Sequence, residues 1–318
     1  MQKLPVGHSD FKTVIEENFY YVDKSLFIKE LIDQGAQALL VPRPRRFGKT
    51  LNLSMLRYFF EKTDEDNSRL FRHLKIWQAG AEYTNRQGKY PVIYLTFKDI
   101  KESNWDRALE KMQQIIQEEY ARHEDMILAK TLSERERKFY ESIANLEASQ
   151  AQYESALKNL SYCLARQHQQ KVILLIDEYD TPIQAGYVNG YYDKIVGFMR
   201  NFLSGGLKDN VHLEKGVLTG IMRVAKESIF SGLNNLGVFT ILSSSFADKF
   251  GLTEAEIKLM LGDFGIQEKA QEIDGWYNGY IFGNVVIYNP WSIINYLNNI
   301  ADGFKPYWLN TSDNAIVE

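Results

Sequence analysis

The stretch "LLVPRPRRFGKTLNLSML", Leu39 to Leu56, decides the fold, because it reads as an apolar strand, a basic turn and the opening of a helix. A phosphate-binding loop calls for Gly, four residues, then Gly-Lys-Ser/Thr. Successive backbone amides surround the phosphates, the lysine reaches the outer ones, and the hydroxyl ligates magnesium. Gly48, Lys49 and Thr50 supply the tail of that pattern, while Arg43 stands where the first glycine belongs. From average composition such a tripeptide turns up in roughly one chain in six of this length, so alone it is a weak sign. Its position strengthens it. The strand-like Ala36 to Val41 precedes the turn, and "TLNLSMLRYFFEK" follows as a helix whose N-terminal dipole faces an anion. A basic strand-to-helix turn without a ligand is the plainer alternative.

Outward from this turn, further apolar runs read as strands: "YPVIYLTF" (Tyr90 to Phe97), "KVILLIDEYD" (Lys171 to Asp180), "HLEKGVLTGIM" (His212 to Met222) and a fifth at "VFTIL". The charged stretch Asn104 to Gln169, with Leu109, Met112, Ile115 and Ile116 at helical spacing, predicts two or more helices. Strands alternating with helices predict an α/β domain with a mostly parallel sheet covered on both faces. Residues 1–245 are read as this core with an N-terminal arm. From Ser245 the texture shifts to short helices, a hairpin around "YIFGNVVIYNP" and a helix from Trp291, so residues 246–318 are read as a small, mostly helical subdomain. Neither an internal repeat nor a low-complexity segment is evident.

Composition sets few limits. The 318 residues are 45% hydrophobic and carry a formal charge of -4, which gives no global pull toward nucleic acid or membrane. The one cysteine, Cys163, excludes an internal disulfide and a cysteine zinc cluster, and reads as a buried thiol. The five histidines are scattered without metal-ligand spacing. No run of eighteen apolar residues and no signal-peptide h-region occurs, so no membrane partner is expected and cytoplasmic location is the default.

Two more motifs carry chemistry. "VILLIDEYD" is an apolar strand ending in Asp177-Glu178, an order that sets one carboxylate at a metal and the next where it accepts a proton from water. A solvated acidic loop at a strand end is common for any single case, but both motifs in this order make chance much less plausible. In "KGVLTGIMRVAKES" a strand ends at Thr219, a candidate to touch the attacking water or γ-phosphate. Arg223 follows as a charge-stabilising cation, with a solvated loop arginine at equal weight.

These segments, with "LPVGHSDFKTVIEENFYYVDKSLFIKELID", "TGIMRVAKESIFSGLNNL" and "WYNGYIFGNVVIYNPWSIINYL", resemble over nearly the whole chain the bacterial AAA-ATPase-like family, whose members are commonly fused to a PD-(D/E)XK nuclease-like domain. The arginine-rich loop head is usual there. The resemblance implies a P-loop NTPase fold of the AAA-like type with a C-terminal lid, and ATP and magnesium as cofactors. Thr50 and Asp177 would hold the metal, Glu178 would activate water, and Thr219 and Arg223 would assist. Arg43, Arg45, Arg46, Phe47, Gly48, Lys49, Thr50 and Leu51 would contact the nucleotide, and "YYVDKS" would pack near it. It also implies that the chain is truncated before a nuclease-like effector domain. The nuclease triplet Glu-x-Lys is matched only at Glu136-Arg137-Lys138 and Glu256-Ile257-Lys258, both read as helix, so nuclease activity is not expected. The leading hypothesis is a magnesium-dependent ATPase coupled to an attached or partner effector. Behind it stand a nucleotide-binding switch with little turnover and, third, a nucleic-acid-gripping domain. Oligomeric state is left open.

Overall fold

A computed structural model describes residues 2–125, 132–222, 229–230 and 235–308. Five strands, β1 (Ala38–Pro42), β2 (Val92–Thr96), β3 (Val172–Asp177), β4 (Leu213–Gly220) and β5 (Leu236–Val238), form one parallel sheet in the order β2-β3-β4-β1-β5. The α/β expectation holds with one shift. The strand expected at "VFTIL" lies earlier and ends at Val238, because Phe239 turns its ring into the core against Phe246, centroid to centroid 5.0 Å.

Side chains alternate across a strand, and the two cores divide by that alternation. Leu39, Val41, Ile173, Leu175 and Val217 enter one core, under the helices Leu26–Asp33 and Lys49–Phe60. Leu40, Leu174, Ile176 and Leu218 enter the other, under Trp105–Ala121, Ala156–His168 and Tyr192–Leu207. Strands buried on both faces carry no polar alternation, which is why "VILLID" is an unbroken apolar run. Each Leu or Phe so buried contributes roughly 1.5–3 kcal/mol.

The sheet order matters most for function. β4 lies between β1 and β3, with Val41 level with Thr219 and Ile176 level with Leu218. Asp177 is level with Thr96 on β2. The carboxyl ends of four strands therefore meet at one edge, where open α/β sheets collect ligands.

Both Glu-x-Lys triplets sit on helices, Glu134–Ala144 and Glu254–Asp263, as read. After the main sheet, β6 (Leu252–Thr253), β7 (Tyr280–Phe282) and β8 (Val285–Tyr288) form a small antiparallel sheet in the order β6-β8-β7. It packs with the helices Glu254–Asp263, Ala270–Tyr277 and Pro290–Asn298 around Leu261, Ile273, Ile293 and Tyr296. This unit is stitched to the rest at two levels. Phe246, Phe250, Phe282 and Ile287 enter the first core. The N-terminal arm crosses to it through Lys24 Nζ, 2.6 Å from Glu256 Oε2, and Tyr20 Oη, which donates to Asp263 Oδ2 at 2.6 Å. No described helix is long and apolar enough to cross a membrane.

Candidate active site

The turn after β1 is built from backbone conformation. Gly48 caps the helix Lys49–Phe60 in the left-handed region, φ 81°, where any side chain would be strained although nothing lies within 4 Å of a Cβ there. Arg46 is also left-handed at φ 69°. Left-handed residues spaced through a turn are the means by which a loop aims successive amides at one point.

Around this turn the structure gathers residues from three strand ends. The Thr50 hydroxyl donates to Asp177 Oδ2 at 2.6 Å, and the Thr219 hydroxyl donates to Asp177 Oδ1 at 2.6 Å. Asp177 and Thr219 are both fully buried. Lys49 Nζ donates to Pro44 O at 3.2 Å and stands 3.2 Å from Glu178 Oε1. Glu178 is itself in the left-handed region, φ 52°, an uncommon state for a side-chain-bearing residue that turns its carboxylate off the strand line. Burial pushes the Glu178 carboxyl above its usual range, and Asp177 and Asp180 add to that against the pull of Lys49.

The sequence reading gave Asp180 no first role, yet it braces the site. Its Oδ2 accepts from the amides of Ile221 and Met222, at 3.0 and 2.8 Å, and from Gln184 Nε2 at 2.7 Å. It ties the loop after β3 to the loop after β4, while Tyr179 N donates to Thr219 O at 3.1 Å beside it. Burial raises the Asp180 carboxyl, and the two amides oppose that rise. Gly220 makes this approach feasible, since a Cβ there would stand 2.2 Å from Asp180 Oδ1. The signal in sequence was faint, an acid three residues after the strand's own.

The other five expected nucleotide contacts have separate surroundings. Arg43 needs correction: its guanidinium is fully buried and donates to the carbonyls of Pro42, Phe239 and Phe246, at 2.8, 2.7 and 3.1 Å, with the rings of Phe250 and Phe282 beside it. Burial lowers its pKa to about 10. It holds β1 to the C-terminal segment, and both its terminal nitrogens are engaged there, because three carbonyls at a core junction need a multidentate donor. Arg46 lies over the Trp291 ring at 3.7 Å, and Phe47 is buried against Tyr280 and Phe282, so only its main chain belongs to the turn. Leu51 is half-buried on the lining of a small apolar cavity that also takes in Gly48, Tyr20, Val22, Pro290 and Ile294. Arg45 lines a different cleft, beside Glu178. Arg223 lies outside the described residues.

The donor set fits a magnesium ion in one respect: a hydroxyl and a carboxylate, both hard oxygen donors, converge within 2.6 Å. Among the described residues no group of three or more His, Cys, Asp or Glu could cage a metal, so such an ion would rest on one or two protein oxygens with phosphate and water completing its shell.

The family model described as "Predicted AAA-ATPase" matches residues 5–230. A curated relative, "Uncharacterized protein in vnfD 5'region" of Azotobacter chroococcum mcd 1, is 29% identical over 313 residues, covering 98% of this chain and 54% of its own length. The chain thus spans about half the length of that relative. No solved structure matches. With a parallel sheet whose fourth strand separates the turn-bearing β1 from the carboxylate-bearing β3, and with the family match over most of its length, this chain belongs to the predicted AAA-ATPase family and has its AAA-like P-loop fold.

Proposed function

We propose that the protein binds ATP with magnesium and hydrolyses it, and that the change is passed to an attached or partner effector. The observation that carries this reading is the convergence of Lys49, Thr50, Asp177, Glu178 and Thr219 at one sheet edge, with both threonine hydroxyls 2.6 Å from the same carboxylate. The Gly48 amide turn and Lys49 would hold the outer phosphates; Thr50 and Asp177 would hold magnesium, which when bound neutralises charge on the transferred phosphoryl group. Glu178 would take a proton from the attacking water, and Thr219 would orient that water. The base would lie against the apolar lining between the N-terminal arm and the helix Pro290–Asn298, where Tyr20, Val22, Leu51 and Ile294 meet. Residues 246–318 would then act as a lid.

A second reading, a nucleotide-controlled switch with little turnover, is favoured by one feature. Lys49 is already paired with Glu178, so phosphate must take the lysine from the would-be base. Turnover decides between the two. ATP binding and hydrolysis with magnesium should be measured on the chain and on Lys49→Ala. The variant should bind ATP more weakly by about 2 kcal/mol, near thirtyfold, the scale of a lost charged hydrogen bond. Equal affinity by calorimetry removes the site. Wild-type binding without turnover selects the switch.

A further inference from the structure

We propose that the cleft beside Glu178 is a second anion site, shaped for the phosphate group of a small organic ligand. Its volume is about 330 Å³, within the range of small-ligand pockets. It opens at the carboxyl ends of the strands, since Lys98 and Lys101 follow β2, Glu178 follows β3, and Arg45 comes from the turn after β1. Three cations and one carboxylate line it. The carboxylate is engaged by Lys49 at 3.2 Å, whereas among the described residues no carboxylate pairs with Arg45, Lys98 or Lys101. Glu102, next to Lys101, stands instead 3.5 Å from Lys111. The cleft is therefore locally positive on a chain of net charge -4, and a concave wall concentrates that field.

The lining that comes from the helix Thr181–Val188 and the residue after it is of another character. Ala185 and Val188 present aliphatic surface between the amide side chains of Gln184 and Asn189. Cations sharing one cleft with aliphatic and amide side chains suit a phosphate attached to a short carbon skeleton. A nucleic-acid strand needs a longer basic groove than a pocket of this size offers. Gly48, Lys49 and Thr50 do not line the cleft, but Glu178 and Arg45 do, so the site adjoins the proposed nucleotide site and is separated from it by the Lys49 test below.

The test uses the full chain and inorganic phosphate as the probe, with binding read by calorimetry for wild type, Lys98→Ala/Lys101→Ala and Lys49→Ala. Both cleft lysines are exposed, so the double variant should melt as wild type does and bind ATP as wild type does. Phosphate affinity should fall at least tenfold in the double variant and persist in Lys49→Ala. Loss only in Lys49→Ala, or unchanged affinity in the double variant, overturns the proposal. Displacement of phosphate by a single-stranded oligonucleotide, with steep salt dependence, would overturn the small-ligand assignment in favour of nucleic acid.

Discussion

Glu178 shows how one residue can serve two demands. Burial holds its carboxyl above the ordinary glutamate value of 4.5, so its charge is disfavoured in the empty fold. A group with a raised folded pKa contributes most to stability below its unfolded pKa, and that contribution is lost as pH rises through the folded value. Glu178→Gln, free of this loss, should therefore melt above wild type at neutral pH without nucleotide. The gap should close as pH falls below 4.5. In turnover assays the same variant should keep ATP bound and lose hydrolysis by about a hundredfold or more; a wild-type rate would reassign the base, with Asp180 next in line. Arg43 makes the opposite case, a cation spent on structure. Arg43→Met keeps the bulk and leaves carbonyls of Pro42, Phe239 and Phe246 without their donor. Denaturant titration should show a loss of about 2–3 kcal/mol, with ATP affinity changed only a few-fold.

At the scale of elements, β2 is an edge strand whose free backbone groups would invite pairing with another chain. The helix Trp105–Ala121 and the residue after it close that edge with side chains. Glu119 Oε1 accepts from Tyr94 N at 2.9 Å, and the Arg122 guanidinium donates to Val92 O and to Glu61. Burial works against the Glu119 charge, but His123 and Arg122 outweigh it and hold its carboxyl below the usual range. Arg122→Ala should cost about 3 kcal/mol, as expected when a buried carboxylate loses its partner, and light scattering on warming should show earlier aggregation. Neither effect would appear if the pairing were solvent-screened. A second junction of elements is Arg46 on Trp291, which joins the turn after β1 to the helix Pro290–Asn298. If nucleotide binds a closed form better, hydrogen exchange should show added protection both at the Gly48 turn and across residues 262–283 when ATP and magnesium are supplied. Protection confined to the turn would make residues 246–318 a static appendage.

Across the whole molecule, the C-terminal unit cannot be treated as loosely hung. It shares the first core through Phe246, Phe250, Phe282 and Ile287, and Lys24, a buried cation, joins the arm to Glu256 and to the Asp248 carbonyl. Any movement of a lid must therefore take place outward of that shared core, among the helices Glu254–Asp263, Ala270–Tyr277 and Pro290–Asn298. Because the chain spans about half of its curated relative, the effector at the end of such a movement is a proposal, a nuclease-like domain included.

The sequence by itself determined the fold class and four of the five strands, because parallel strands buried on both faces leave unbroken apolar runs, and a glycine turn before a helix has few alternatives. It also named Lys49, Thr50, Asp177, Glu178 and Thr219 singly, each by its position at the end of a run. Only tertiary structure decided that these five meet, since sheet order, with β4 between β1 and β3, is set by packing and not by chain order. It alone separated the arginines as well. Residues two or three apart in an irregular turn have no fixed facing, so adjacency in sequence could not tell that Arg43 enters the core, Arg45 a cleft and Arg46 a tryptophan face. Asp180 stayed hidden for the same reason: its partners are amides after a strand some forty residues later, and backbone amides carry no signature in sequence.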